Sequence, residues 1–310
     1  MILSIGDEAV IHIVFILAVL LNGATDAANS VTGAVYSGAL SYRRAAMISA
    51  LLNFAGLVAF AAVCPGLYER VSSLSSGDVR EAVASLATVV IFAGGAWLFS
   101  VPTSESHAMI AAMAGAGLAM GRETKVSTFV FIVAGALLSA LLSAFFAGIM
   151  RIALPRRLLG SKAASVVGCC LGSFLHGAQD GQKFLALAVA TGVLRESIGS
   201  VFAVALLMLA GTLFGGGRIV RMLGEKMTAV SGAEAVASDI GSAAGLLAVT
   251  LLGVPASTTH TKTCAIAGAA AVSGKRVGKS ELAAILAGWI LTLPVCFLLA
   301  YFITKTINLL

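Results

Sequence analysis

The sequence predicts an all-α polytopic membrane protein. It is expected to contain two inverted-topology repeats of about five hydrophobic segments each, with broken or re-entrant helices at the membrane midplane. Three observations carry that expectation. The 310 residues are 59% hydrophobic and 11% charged, with a mean hydropathy of +1.02, whereas a soluble domain carries about 25% charged residues. Apolar runs of about 20 residues, the length that crosses a bilayer, recur along the chain. Two polar motifs inside those runs each occur twice, in the same order and at nearly the same spacing. The composition excludes a water-soluble enzyme, a nucleic-acid binder and a disordered chain.

Ten hydrophobic segments are expected. The first covers residues 9–40 and is interrupted at Asn22-Gly23-Ala24-Thr25-Asp26. Segments 45–63, 79–100, 101–120 and 127–150 complete a first half, residues 1–150. A basic linker with Arg151, Arg156, Arg157 and Lys162 opens the second half, residues 151–310. There the segments are 163–190, interrupted at His176-Gly177-Ala178-Gln179-Asp180, then 197–214, 239–253, 254–272 and 282–303. Helix follows because backbone in hydrocarbon must satisfy its own hydrogen bonds. Strands of alternating polarity are absent, so a barrel is excluded. The 34 glycines, with abundant Ala and Ser, suit helices packed closely in lipid. Cys64, Cys169, Cys170, Cys264 and Cys296 have no metal-ligand spacing and read as small packing residues. Asp7 and Glu8 stand where a cleavable signal would be basic.

The duplication rests on two matches. Gly23-Ala24-Thr25-Asp26 returns 154 residues later as Gly177-Ala178-Gln179-Asp180, and Val101-Pro102-Thr103-Ser104-Glu105-Ser106-His107 returns 153 later as Val254-Pro255-Ala256-Ser257-Thr258-Thr259-His260. An odd number of crossings per half inverts the second relative to the first. With the N-terminus outside, the inner loops then hold 12 Lys and Arg against 6 outside, the sign of the positive-inside rule.

Several polar residues fall at membrane depth: Asp26, Glu105, Asp180, Lys183 and Lys262, with His107, His176 and His260. A charge there costs at least about 2.5–3.5 kcal/mol on insertion scales, so the cluster points to a site. Gly23 and Gly177 allow a helix to break. Asp26 and Asp180 then offer anionic oxygens, with Thr25, Asn29 and Gln179 adding neutral ones, the donor set of a hard cation such as Na⁺. Pro102 and Pro255 suit a first helical turn. Ser104, Ser106, Ser257, Thr258 and Thr259 would lie in or near those turns, where free N–H groups and the positive dipole end hold an oxyanion. His107 and His260 sit close to the hydroxyls as pH-sensitive partners or packing residues. Lys183 and Lys262 have Asn29 and Met109 as their first-half counterparts, and Glu105 answers Thr258, so the site is not symmetric.

These motifs resemble the inorganic phosphate transporter (Pit) family, in its bacterial low-affinity form. The family's hallmark Gly-Ala-Asn-Asp occurs once per half. Here the copies are Gly23-Ala24-Thr25-Asp26-Ala27-Ala28-Asn29-Ser30 and His176-Gly177-Ala178-Gln179-Asp180-Gly181-Gln182-Lys183, with Thr25 and Gln179 in place of the Asn. The resemblance implies a symporter of inorganic phosphate coupled to Na⁺ or H⁺. It further implies a homodimer in the plasma membrane with the N-terminus outside. Membrane lipid is then the surrounding partner, and no organic cofactor, nucleic acid or enzymatic activity is expected. Sulfate or another tetrahedral oxyanion is the alternative substrate. Two readings stand further off: a passive anion channel, and an intramembrane hydrolase built on Ser104, His107 and Asp26.

Overall fold

The computed structural model describes residues 5–99, 103–122, 126–217, 219–221, 232–275 and 279–309, and the described residues contain helices and turns but no strand. The first half consists of α1 (Ile5–Tyr36), α2 (Tyr42–Val63), the short α3 (Gly66–Ser72), α4 (Val79–Leu98), α5 (Glu105–Ala119) and α6 (Val126–Ala153). One turn, α7 (Arg156–Leu159), leads into α8 (Lys162–His176), a π-helical turn (Gly177–Gly181) and α9 (Gln182–Ala190). The rest is α10 (Ile198–Gly215), α11 (Gly232–Leu251), α12 (Thr258–Val272) and α13 (Lys279–Ile307). Each of the ten expected segments contains one of these helices, taking α8, the π-turn and α9 as one rod. Among the described residues, seven helices are long and apolar enough to cross a membrane, and the protein is a multi-pass membrane protein.

The sequence expectations need four corrections. The interruption at residues 22–26 is not seen: α1 runs through it, and the Thr25 hydroxyl lies 2.8 Å from the Leu21 carbonyl of the preceding turn. The second interruption is a widened turn within a continuous rod. Gly181 stands there where the first half has Ala27, and two glycines in five residues lower the cost of leaving α geometry. Pro255 does not enter a first helical turn; it precedes the N-cap Ser257 by two residues, and Pro102 lies outside the described residues. The eighth segment begins earlier than expected, because the helix starts at Gly232 and so takes in the buried Glu234 as well as Asp239.

α5 and α12 have 15 residues each. At 1.5 Å per residue they rise about 22 Å, short of the roughly 30 Å hydrocarbon core. Each begins at a buried serine, whose side chain accepts from a backbone N–H three residues on: His107 to Ser104 and His260 to Ser257, both at 3.3 Å. Each is held by a long helix from the other half. α5 packs on α13, and α12 on α6. The two contacts match in detail. Gly115 lies against the Phe297 carbonyl and Gly268 against the Ala144 carbonyl, so closely that a Cβ at either glycine would collide with backbone. A second matched set closes the rest of the bundle: Gly211 meets Leu20 between α10 and α1, and Gly56 meets Phe174 between α2 and α8. The halves therefore interlock and share one interior.

Buried acids tie the helix ends. Glu81 near the start of α4 meets Arg122 beyond α5 at 2.6 Å. Glu234 near the start of α11 meets Lys275 beyond α12 at 3.0 Å and Arg151 of α6 at 2.9 Å. Glu81-Ala82-Val83-Ala84-Ser85 recurs intact as Glu234-Ala235-Val236-Ala237-Ser238, so the first two pairs occupy matched places. On the loop before α4, Asp78 caps the helix through the Arg80 N–H at 2.8 Å. Its hydrogen bond to the Arg80 side chain holds its carboxyl below the usual range. Outward-facing Leu141 and Phe145 on α6, with Leu298 and Phe302 on α13, leave an apolar exterior suited to lipid.

The glycine contacts make a direct prediction. Gly115→Ala and Gly268→Ala should each destabilise the detergent-solubilised protein by about 1–3 kcal/mol, the usual cost of overpacking. Gly95→Ala, at a position with no neighbour within 4 Å, should leave the thermal midpoint unchanged.

Candidate ion and oxyanion site

α1 and the rod formed by α8, the π-turn and α9 bring their matched motifs together at the centre. The N-terminal turns of α5 and α12 close in from the side. Asp26, Glu105, Asp180, His176 and Lys183 are all buried there. Asp26 accepts from Thr258 at 3.2 Å, from Thr259 and Asn22 at 3.3 Å and from Asn29 at 3.5 Å. Asp180 meets Lys183 Nζ at 2.6 Å, His176 Nε2 at 3.2 Å and Asn22 Nδ2 at 3.4 Å. Glu105, at the start of α5, lies against the Thr25 hydroxyl. Asp26, His176 and Asp180 each turn one ligand atom into a space where all three lie within 4.8 Å of one another. A single small cation can bridge groups at that spacing. The ligand atoms are two carboxylate oxygens and an imidazole nitrogen, and the nearby hydroxyls supply further oxygens.

The network repeats itself with changed residues. Asn22 to Asp26 in the first half is answered by His176 to Asp180 in the second. Asn29 donates to Thr259 at 3.2 Å, and Lys183 donates to Ser106 at 2.6 Å. The Thr259 hydroxyl lies 3.0 Å from the Thr103 carbonyl, and Ser106 donates to the Ala256 carbonyl at 3.1 Å. The last pair places the two helix N-termini directly against each other. Lys183 uses all three of its N–H donors: on Asp180, on Ser106 and on the Ala256 carbonyl at 2.5 Å. An ammonium buried in this way is fully bonded, which removes most of its desolvation penalty.

The structure does not bring every candidate residue into this cluster. Gln179 is committed elsewhere: its amide donates to Thr250 at 2.9 Å and to the Val254 carbonyl at 3.4 Å, and its oxygen accepts from the Ala256 N–H at 3.4 Å. It therefore braces the segment before α12. Lys262 pairs with Asp239 of α11. His107 and His260 stack on each other at 4.4 Å, and His260 also stacks on Trp289. Ser104 accepts from the His107 backbone while the His107 Nδ1 has no hydrogen-bond partner among the described residues, so no activated Ser–His pair is formed. Ser104 and Ser257 act as helix caps. Of the five hydroxyls expected at the two helix starts, Ser106, Thr258 and Thr259 reach the cluster. Asn22 and Asp239 were not singled out by motif. The recurrence of Glu81–Ser85 as Glu234–Ser238 was the available signal for Asp239, which directly follows it.

The model of the phosphate transporter family matches residues 22–165 and 159–300. The chain belongs to that family. A relative from Bacillus subtilis named "Probable low-affinity inorganic phosphate transporter" is 28% identical over 93% of this chain and 94% of its own length. A second of the same name, from Rhizobium meliloti, is 29% identical over 90% of each chain. These relatives are named as transporters and not as enzymes. A solved structure named "The sodium-dependent phosphate transporter" superposes with a TM-score of 0.81 at 19% identity, covering 99% of this chain and 100% of that one. This shared fold agrees with the all-helical membrane architecture. Both matched motif regions lie inside the family match, and the central cluster draws on both.

The Asp180–Lys183 pair sets up a test of the cluster's balance. Lys183→Met should cost about 3–5 kcal/mol in thermal unfolding, because it leaves an uncompensated buried carboxylate. Adding Asp180→Asn should recover more than half of that loss.

Proposed function

We propose that this protein is a secondary active symporter of inorganic phosphate, driven by Na⁺ and built as two inverted repeats with the N-terminus outside the plasma membrane. One observation carries the reading. Matched aspartates from the two halves, Asp26 and Asp180, meet in a buried cluster beside two abutting helix N-termini. Family membership supports phosphate as substrate. The structural relative is named as sodium-dependent, which supports sodium, and the two facing carboxylates suit a small hard cation. The cation is assigned to Asp26 and Asp180, with Thr25 and Asn29 nearby. Phosphate is assigned to Ser106, Thr258, Thr259 and the free N–H groups of the first turns of α5 and α12, with Ser104 and Ser257 shaping those turns. Lys183 steadies Asp180, and Glu105 adds charge on the first-half side.

Electrostatics supplies the coupling. The cluster holds three carboxylates and one ammonium, so an entering phosphate dianion meets excess negative charge. Two like charges 4 Å apart repel by about 4 kcal/mol at an effective dielectric of 20. A cation bound between the aspartates reverses that sign for phosphate, and by linkage phosphate tightens the cation equally. Substrate and ion then cross together. Rocking of one bundle against the other around a fixed central site would expose it to each face in turn.

Uptake of labelled phosphate into proteoliposomes tests this. An inward Na⁺ gradient should drive accumulation that excess sulfate does not compete away. Accumulation driven only by a pH gradient would make the proton the coupling ion. Equal competition by sulfate would make the protein a general oxyanion permease, and flux that never accumulates would make it a channel. Asp26→Asn and Asp180→Asn should each lower concentrative uptake by about 100-fold while membrane insertion is retained. Near-normal uptake by both variants would sink the site assignment.

A further inference from the structure

Beside the central cluster lies a buried ion pair that the cluster does not use. Lys262 of α12 and Asp239 of α11 form a salt bridge with side chains 8% and 1% exposed. They line a narrow cleft between α1, α8, α11 and α12 that is partly continuous with the outside. Asn29, Ser30, His176, Ser242 and Thr258 supply its other polar lining. Asn29 and Thr258 also bond to Asp26, so the cleft begins where the central cluster ends. Lys262 lies one helical turn beyond Thr258, on the way to Lys275. The fold makes room for the pair. Gly33 of α1 and Gly168 of α8 leave a slot for the Asp239 side chain, and a Cβ at either would collide with it.

The duplicated half shows that packing does not require this pair. Leu86 and Met109 occupy the matched positions in the first half, where both are buried in the apolar core. The same pair of helices therefore closes on two apolar side chains. Replacing a buried ion pair with apolar residues is often neutral or stabilising, which makes stability a poor reason for the pair. Its place on the cleft, beside hydroxyls and an amide, suits an ion in passage.

We propose that Lys262 is the anion-holding residue of a second, transient phosphate station, lying between the central site and the membrane face onto which this cleft opens. The inference rests on the phosphate transport proposed above. In the topology given there, that face is cytoplasmic. A phosphate leaving the N-termini of α5 and α12 meets the Lys262 ammonium, with the hydroxyls of Ser30 and Ser242 beside it. The anion displaces Asp239 from Lys262. When it moves on, Asp239 pairs with Lys262 again. Competition from Asp239 keeps the station weak, and an ion pathway needs sites weak enough to leave.

The test compares wild type with Asp239→Leu/Lys262→Met, which installs the first-half pair and keeps the charge balanced. Exchange of labelled inorganic phosphate is measured from each face of proteoliposomes containing the full chain, with equilibrium phosphate binding to the solubilised protein alongside. The double variant should bind phosphate within about twofold of wild type, exchange about tenfold more slowly, and show a raised KM on the cytoplasmic face alone. Asp239→Asn, which frees Lys262, should lower the cytoplasmic KM and slow release. Wild-type exchange by the double variant would overturn the station and leave a structural pair. So would a loss equal from both faces, or a loss of equilibrium binding itself. A wild-type protein that binds and exchanges no phosphate would instead refute the transport reading, and this inference would fall with it.

Discussion

The contact set of Lys183 organises the interior. One ammonium from α9 bonds to Asp180 in the π-turn, to Ser106 in the first turn of α5 and to the Ala256 carbonyl just before α12. Three parts of the chain, far apart in sequence, are thereby held to a single point. A lysine in hydrocarbon is tolerated only when its donors are used and its charge is answered. Its position thus demands that the rod and the tips of the two short helices arrive together. The first half places Asn29 at the matched position and makes the corresponding bonds with a neutral amide. The frame is shared by both halves, but the charge belongs to one, and that difference separates the surroundings of Asp26 from those of Asp180.

Close backbone contact is what allows the convergence. α5 and α12 are too short to cross a bilayer, so each needs support along its length from a longer helix. α13 and α6 provide it, and each belongs to the other half of the sequence. Glycines at the contacts let the backbones touch, which raises dispersion contact where lipid offers no hydrophobic driving force. The exchange of supporting helices also means that neither half can complete its own half of the site.

Much of this was legible in the chain. Hydropathy located all ten segments, because lipid demands long apolar runs and helix is the form that satisfies their backbone. The paired Gly-Ala-x-Asp and Pro-containing motifs pointed to Asp26, Asp180, Ser106, Thr258 and Thr259, which the structure does bring together. Local geometry was less legible. A Gly-rich polar stretch reads as a break, yet α1 continues through Gly23, whose missing side chain admits the Met208 carbonyl of α10. Glycine signals both a helix break and a close helix contact, and only the neighbour separates the two. Gln179 reads as an ion ligand by its place in the motif, but its long side chain reaches Thr250 and the segment before α12.

The sequence by itself determined the membrane setting, the helical class, the recurrence of the paired motifs and the short set of polar residues at depth. These follow from composition and spacing, and each is a property of one segment or of two segments compared. The tertiary structure alone decided who partners whom. Lys183 and Lys262 look alike in the sequence, each a lone lysine in an apolar run. Packing sends one to Asp180 at the centre and the other to Asp239 in a side cleft. That choice depends on which helices touch and at what rotation, and the contacts that set it, such as Ser106 to Ala256 and Asn29 to Thr259, join residues 150 and 230 positions apart.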